Sequence, residues 1–179
     1  NLKNKIIIVT GGSKGIGGGI TRLLAKEGAI PIIIGRDELS IKSIVNELEN
    51  KKQNVDYVYA ELTNSDQCKK AIAFIYKKYN QIDGLVNNAG VNDGVSLKNG
   101  SAKQFIDSIN KNVTHYFLMA QYSISALKKS KGSIVNIGSK VSFTGQGGTS
   151  GYAAACGARN ALTREWALEL LNDNIRVNE

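Results

Sequence analysis

Residues 10–17 read Thr10-Gly11-Gly12-Ser13-Lys14-Gly15-Ile16-Gly17, between Ile6-Ile7-Ile8-Val9 and a helical pattern from Ile16 to Glu27. The isoleucine run has no polar alternation, as expected of a strand buried on both faces. The segment after the glycines carries Ile16, Ile20, Leu23 and Leu24 at helical spacing, and they are expected to share the inward stripe. Gly28 reads as its stop. Strand, glycine turn and helix form a unit whose turn brings backbone close to a phosphate, while the helix N-terminus offers free N–H groups and partial positive charge. A P-loop needs Gly-Lys followed by Ser or Thr; here the lysine precedes the glycine. Gly11, Ser13, Lys14, Gly15, Ile16 and Gly17 are therefore expected to hold a dinucleotide diphosphate. Gly18 and Gly19 prolong the glycine run with no clear role beyond close helix–sheet packing.

Working outward, the alternation repeats. Pro31 lacks a donor, so a second strand is expected to start there and run through Ile32-Ile33-Ile34. Glu38 to Lys51 reads as a helix with Leu39, Ile44, Val45 and Leu48 inward, and Val55 to Ala60 as a strand. Ser65 to Tyr79 reads as a helix capped by Ser65. Strands are expected at Ile82–Val86, Ile134–Ile137 and Ile175–Val177, and helices over Ser101–Lys129 and Ser150–Leu171. Strictly alternating strands and helices predict an α/β fold of the Rossmann type: a doubly wound parallel sheet in three αβα layers. Residues 1–179 read as a single dinucleotide-binding domain. The final strand begins as the sequence stops, so the chain reads as a fragment without a C-terminal substrate-loop region.

Composition narrows the function. At 179 residues, 42% of them hydrophobic, the chain suits one globular domain. No apolar run is long enough for a membrane span, and Leu2 to Lys5 leads straight into a strand without the features of a signal peptide. Two cysteines give neither a disulfide framework nor metal-ligand spacing, so no metal is expected and a reducing cytoplasm suits the chain. The single histidine, His115, argues against a Ser-His-Asp hydrolase. The net charge of +8 comes largely from lysine pairs along helices, which read as solvated faces rather than a nucleic-acid site.

The end of the second strand reports on the cofactor ribose. An acidic residue there suits NAD. This chain has Gly35-Arg36-Asp37, and a guanidinium pairs well with a 2′-phosphate, with Lys14 to assist. NADP is expected to be preferred over NAD; the alternative leaves Arg36 on the surface and gives the ribose to Asp37.

Further markers follow in order. Asn87-Asn88-Ala89-Gly90 ends the fourth strand, Asn112 lies in the long helical stretch, Ser139 closes the fifth strand, and Tyr152 comes thirteen residues later. Together with the glycine turn, these resemble the short-chain dehydrogenase/reductase family from residue 5 to the end. The resemblance implies a nicotinamide cofactor and hydride transfer to or from a secondary alcohol or carbonyl. It implies that Tyr152 passes the proton, Ser139 bonds the reacting oxygen and Asn112 holds a relay water. Asn88, Ala89 and Gly90 would line the adenosine side, and Glu61-Leu62 would stand against the adenine, with Glu where Asp is common. It also implies a homodimer or homotetramer formed through the helices carrying Asn112 and Tyr152.

The loops Thr144 to Tyr152 and Asn88 to Gly94 resemble the sugar, L-fucose-type, branch. Asn92, Asp93, Lys140 and Gln146 are the expected contacts to a sugar or polyol substrate; a 3-oxoacyl reductase is the alternative. One departure stands out. The family has lysine four residues after the tyrosine, on the same helix face, where its charge favours the tyrosinate and its ammonium holds the ribose. This chain has Cys156. A free tyrosine has a pKa near ~10, so forming its phenolate at neutral pH costs about 4 kcal/mol. A neutral thiol does not lower that cost. The readings are a dehydrogenase with a modified relay, a catalytically weak nucleotide-binding or assembly subunit, or an engineered or chemically probed site. Lys140 and Arg159 are the nearby cations by sequence, Arg159 being expected at an exposed or interface position.

Overall fold

The structure, a computed structural model, describes residues 2–179. Six strands form one sheet: β1 (Ile6–Thr10), β2 (Ile30–Gly35), β3 (Asp56–Tyr59), β4 (Gly84–Asn87), β5 (Ser133–Asn136) and β6 (Arg176–Asn178). Their spatial order is β3-β2-β1-β4-β5-β6, and every pairing is parallel. Ile8 of β1 stands opposite Ile32 of β2 and Leu85 of β4, so the isoleucine run is the centre of the sheet. The order reverses between β1 and β4. Connections leave those two strands toward opposite faces, and a crevice opens at their carboxyl ends.

Helices α1 (Gly15–Lys26) and α2 (Glu38–Asn50) cover one face. The other face is covered by α3 (Ser65–Tyr79), α5 (His115–Ser130) and α7 (Ser150–Glu169). Side chains alternate along a strand. Ile6, Ile8, Ile32 and Ile34 therefore join Cys68, Ile75, Met119 and Trp166 in the larger core, while Ile33 packs with Ile41 and Leu48 of α2. This is the doubly wound three-layer fold the alternation predicts.

Several local expectations change. Ile16, Leu23 and Leu39 are exposed; the buried stripe of α1 is Gly17, Gly18, Thr21 and Ala25, and α2 turns Ile41 inward instead of Leu39. Glycine and threonine let α1 lie close to the sheet, which leaves Ile16 and Leu23 outside while Ile20 and Leu24 pack, partly buried, against the cluster of Ile7, Val9 and Val86. The cap of α3 is Asn64, whose side chain accepts from Gln67 N at 3.0 Å, so Ser65 is the first helical residue. β2 begins one residue before Pro31. Ile30 N donates to Lys5 O at 2.8 Å, so the missing Pro31 donor faces the β3 side, where pairing starts only at Ile32–Asp56.

The long stretch 101–129 is not one regular helix. Ser101 and Gln104 form a capping box for α4 (Ala102–Ile109), a π-helical turn follows at Asn110–Thr114, and α5 resumes at His115. The short helix α6 (Val141–Thr144) has too little periodicity to show in the sequence.

Candidate active site

The glycine turn lies at the carboxyl end of β1. Gly11 has φ +62°, a left-handed conformation that favours glycine, and its N–H donates to Ile34 O at 2.8 Å, tying the turn to β2. A side chain on Gly17 would collide with the Gly11 carbonyl and the Asn88 amide. That amide holds the turn: Nδ2 donates to Thr10 O at 2.9 Å and Gly11 O at 3.2 Å. In return, Thr10 Oγ1 accepts from the N–H groups of Asn88 (2.9 Å) and Ala89 (3.2 Å). The loops after β1 and β4 are thus stapled across the switch point. Lys14 precedes α1 without a side-chain cap, and the first turn has no acidic residue. Its leading N–H groups therefore stay available to an anion. A dinucleotide diphosphate fits these residues: the backbone approach is close, and Lys14, Gly15 and Ile16 are exposed at its edge.

Beyond β2, both candidate ribose cations have acidic partners. Arg36 pairs with Glu61, and Lys14 Nζ lies 2.7 Å from Asp37. Lys14 and then the Ser40 N–H hold the Asp37 carboxyl down to about 2. Both cations are largely exposed, so these pairs are weak and open to exchange. Burial works against charge on Glu61, but bonds from Thr63 and Arg36 more than offset it and leave its carboxyl below the usual range. Leu62 beside it is buried.

From the glycine turn, contact runs to the far side of the crevice. A Cβ built on Gly11 would lie 3.1 Å from Ala89 Cα, and one on Gly90 would lie 3.0 Å from Asn112 Oδ1 and 3.6 Å from Arg159 Nη1. Asn112 is buried in the π turn; its Oδ1 accepts from Val91 N at 2.7 Å and its Nδ2 donates to Ser108 O at 3.0 Å. It therefore fixes the loop after β4 onto the helix.

Tyr152 stands half-buried in the first turn of α7. Cys156 and Arg159 follow on the same face, four and seven residues on, and are 0% and 2% exposed. The expectation that Arg159 is exposed or at an interface is thus corrected: its spacing from Tyr152 turns it inward. Arg159 Nη2 donates to Cys156 Sγ at 2.8 Å, and Nη1 donates to the Tyr116 hydroxyl at 2.9 Å. Tyr116 donates in turn to Ile137 O at 3.1 Å, beyond the end of β5. The guanidinium carbon lies 5.2 Å from the centre of the Tyr116 ring and 5.5 Å from that of Tyr152. Burial opposes its charge, but Tyr116 and Cys156 more than offset this and raise its pKa further.

Ser139 lies three residues past β5 and just before α6, which packs against α7. Its Oγ accepts from Val141 N at 3.3 Å, and its carbonyl accepts from Ser142 Oγ at 2.8 Å, which turns the chain into α6. Of the expected sugar contacts, Asn92, Lys140 and Gln146 are exposed, and among the described residues no hydrogen bond links them. Asp93 is engaged internally, accepting from Ser108 Oγ at 2.8 Å and facing Lys111 Nζ at 3.7 Å. Sequence reasoning gave no part to Thr10, or to the buried chain in which Asn87 Nδ2 donates to Asn136 (3.0 Å) and Asn136 Nδ2 to Thr163 (2.9 Å). Only polar residues at otherwise apolar strand ends hinted at these.

Comparison with known proteins now decides the family. A family profile described as short chain dehydrogenase matches residues 5–179. This chain is a short-chain dehydrogenase. It is 35% identical over 178 residues to a 3-oxoacyl-(acyl-carrier-protein) reductase of Thermotoga maritima, covering 99% of this chain and 72% of the relative. It is 29% identical over 175 residues to the L-fucose dehydrogenase of Bos taurus, covering 97% and 63%. Among solved structures, Cj0485 dehydrogenase superposes with TM-score 0.92 at 41% identity, covering 99% of this chain and 68% of that one. The actinorhodin polyketide ketoreductase solved with NADPH also gives 0.92, at 27% identity, covering 98% and 68%.

The short-chain dehydrogenase is thus an NAD(P)-dependent oxidoreductase by family. No helix among the described residues is long and apolar enough to cross a membrane. No cluster of His, Cys, Asp and Glu among them would hold a metal.

Proposed function

We propose that the chain moves hydride between a nicotinamide cofactor and a secondary alcohol or carbonyl of a small polyhydroxy compound, a sugar or polyol. The observation that carries this is the continuous contact from the Gly11 turn through Ala89, Gly90 and Asn112 to Arg159 and Tyr152. The residues along this path would hold a dinucleotide anchored at that turn, with Tyr152 serving its nicotinamide end. The nicotinamide supplies the hydride or takes it up. Tyr152 gives or takes the proton on the reacting oxygen, Ser139 bonds that oxygen, and Asn112 holds the wall on which the relay water rests. Asn92, Lys140 and Gln146 supply exposed polar groups at the mouth, while Asp93 shapes its loop through Ser108. The 3-oxoacyl reductase reading is favoured by the Thermotoga relative. A catalytically weak nucleotide-binding or assembly subunit is favoured by Cys156.

NADP is the preferred cofactor in this reading, with Arg36 and Lys14 leaving Glu61 and Asp37 for the 2′-phosphate. Arg36→Ala is expected to raise KM for NADP about tenfold, the worth of one charge-assisted pair, and to leave KM for NAD within twofold. Association into a dimer or tetramer uses α4–α5 and α7, which leave Phe105, Ile106, Phe117 and Leu168 exposed. Light scattering of Phe117→Glu against the unaltered protein tests this.

The deciding assay follows absorbance at 340 nm with L-fucose, other aldoses and polyols plus NADP or NAD, and with acetoacetyl thioester plus NADPH, across pH 7 to 10. Oxidation of an aldose or polyol upholds the reading. Turnover of the thioester alone replaces it with the reductase. Cofactor binding with no turnover of either class leaves the nucleotide-binding subunit.

A further inference from the structure

Arg159 is a buried cation without an anion. It is 2% exposed, and its Nε has no hydrogen-bond partner. Among the described residues no carboxylate forms an ion pair with it. Acidic groups on or near the elements packed against α7 are engaged elsewhere: Asp93 with Lys111, Asp107 with Lys103, Asp173 with Lys128, and Glu179 with Asn160. Lys140, which precedes α6, and Arg176 on β6 are exposed. His115, on α5, is held neutral near pH 7, because burial pushes its pKa down to about 4 against the bond to Lys111 O. A lone buried charge is strongly unfavourable unless something in reach compensates it.

Three groups in reach can carry negative charge. Tyr116 commits its proton to Ile137 O, and burial pushes its pKa up. Cys156 accepts from Nη2. Tyr152 alone of the three is only half-buried, with its ring 5.5 Å from the guanidinium carbon. Helical side chains lean toward the N-terminus, so a guanidinium at 159 projects back over position 156 toward 152. A small residue at 156 leaves that space free.

We propose that Arg159 is a positioning residue which stabilises negative charge on the Tyr152 oxygen during proton transfer, supplying from one turn further along α7 the cation that Cys156 does not. This rests on the hydride-transfer reading above. It requires that Arg159 act through Tyr152 and not merely pack. The fold holds a cation where a thioether of similar volume would fit with less desolvation.

The test compares the full chain with Arg159→Met and Arg159→Lys, each with and without Tyr152→Phe. Seven tyrosines absorb, so the Tyr152 contribution is the difference at 295 nm between each protein and its Tyr152→Phe partner during alkaline titration. In Arg159→Met that difference is expected to move about one to two pH units higher, as loss of one near charge predicts. The alkaline shift should appear equally in the pH profile of kcat, and Arg159→Lys should restore at least half of it. The midpoint of thermal unfolding of Arg159→Met is expected not to fall. Unchanged 295 nm differences and pH profile in a folded Arg159→Met overturn the inference while leaving hydride transfer standing. So does loss of a thiolate signal at 240 nm without a tyrosine shift, which assigns the charge to Cys156. A tyrosine shift in a protein that turns over no substrate upholds the inference and removes the functional reading instead.

Discussion

Gly17→Ala and Gly19→Ala add the same methyl group to α1 two residues apart, and the structure gives them opposite signs. Alanine in a helix interior is favoured over glycine by roughly 1 kcal/mol. At Gly19, which is exposed, an added Cβ meets nothing within 4 Å. The full propensity gain should appear, raising the unfolding midpoint by about 2–4 °C for a chain of this size. At Gly17 the methyl enters the space of the Gly11 carbonyl and the Asn88 amide. Relief requires moving Asn88 Nδ2 off Thr10 O and Gly11 O, two bonds worth about 0.5–1.5 kcal/mol each. Overpacking adds roughly 1–3 kcal/mol. After crediting the propensity gain, a net loss of about 1–5 kcal/mol remains. The turn also opens, so NADPH affinity should fall more than tenfold in Gly17→Ala and stay within twofold in Gly19→Ala. Urea titration followed by circular dichroism reads the first quantity, and NADPH fluorescence the second. The reasoning is refuted if both variants shift stability in the same direction, or if Gly17→Ala binds NADPH as the unaltered protein does.

Two further predictions follow from buried groups. His115 has its pKa lowered from 6.5 to about 4, so the unfolded chain takes up its proton first as pH falls. Stability from this residue is complete above pH 6.5 and lost between 6.5 and 4, a change of about 3 kcal/mol that urea titrations of the unaltered protein and a folded His115→Gln variant at pH 7 and pH 4.5 should separate. Cys156→Lys places an ammonium where Sγ lies 2.8 Å from the Arg159 guanidinium. Alone it should lower the unfolding midpoint by several degrees, as like charges meet in a buried site, whereas Cys156→Lys with Arg159→Val should recover most of the loss. A single variant as stable as the double one would contradict the buried-cation geometry.

The sheet was legible because Ile6–Val9, Ile32–Ile34 and the runs that follow are continuous, which period and spacing alone can recognise. Helix faces were less so. In α1 the fully buried residues are two glycines, a threonine and an alanine, and Thr21 Oγ1 bonds Gly12 O at 2.8 Å, so hydrophobicity found the partly buried Ile20 and Leu24 but missed the residues nearest the sheet. The choice of the glycine turn, Asn88, Asn112, Ser139 and Tyr152 as site residues rests on a motif order that resembles the family's. Arg159 could not be chosen so, since charge in a sequence reads as surface. Only the packing of α4 and the π turn against α7, with Tyr116 reaching Arg159, shows that seven residues past Tyr152 is an interior position. Asp93 was misleading in the other direction: an acidic residue in a loop reads as open to ligand, but Ser108 and Lys111 both reach it from the helix behind.

The five-residue turn at Asn110–Thr114 sets the angular phase of everything after it in that rod. Each helical residue advances about 100°. A π turn spends one residue more than an α turn on the same rotation. Deleting one residue there would let the rod relax to α-helix with Tyr116, Met119 and Ser123, all now at or near zero exposure, still facing the sheet. At this segment the gene should tolerate the loss of one codon far more readily than elsewhere in the rod.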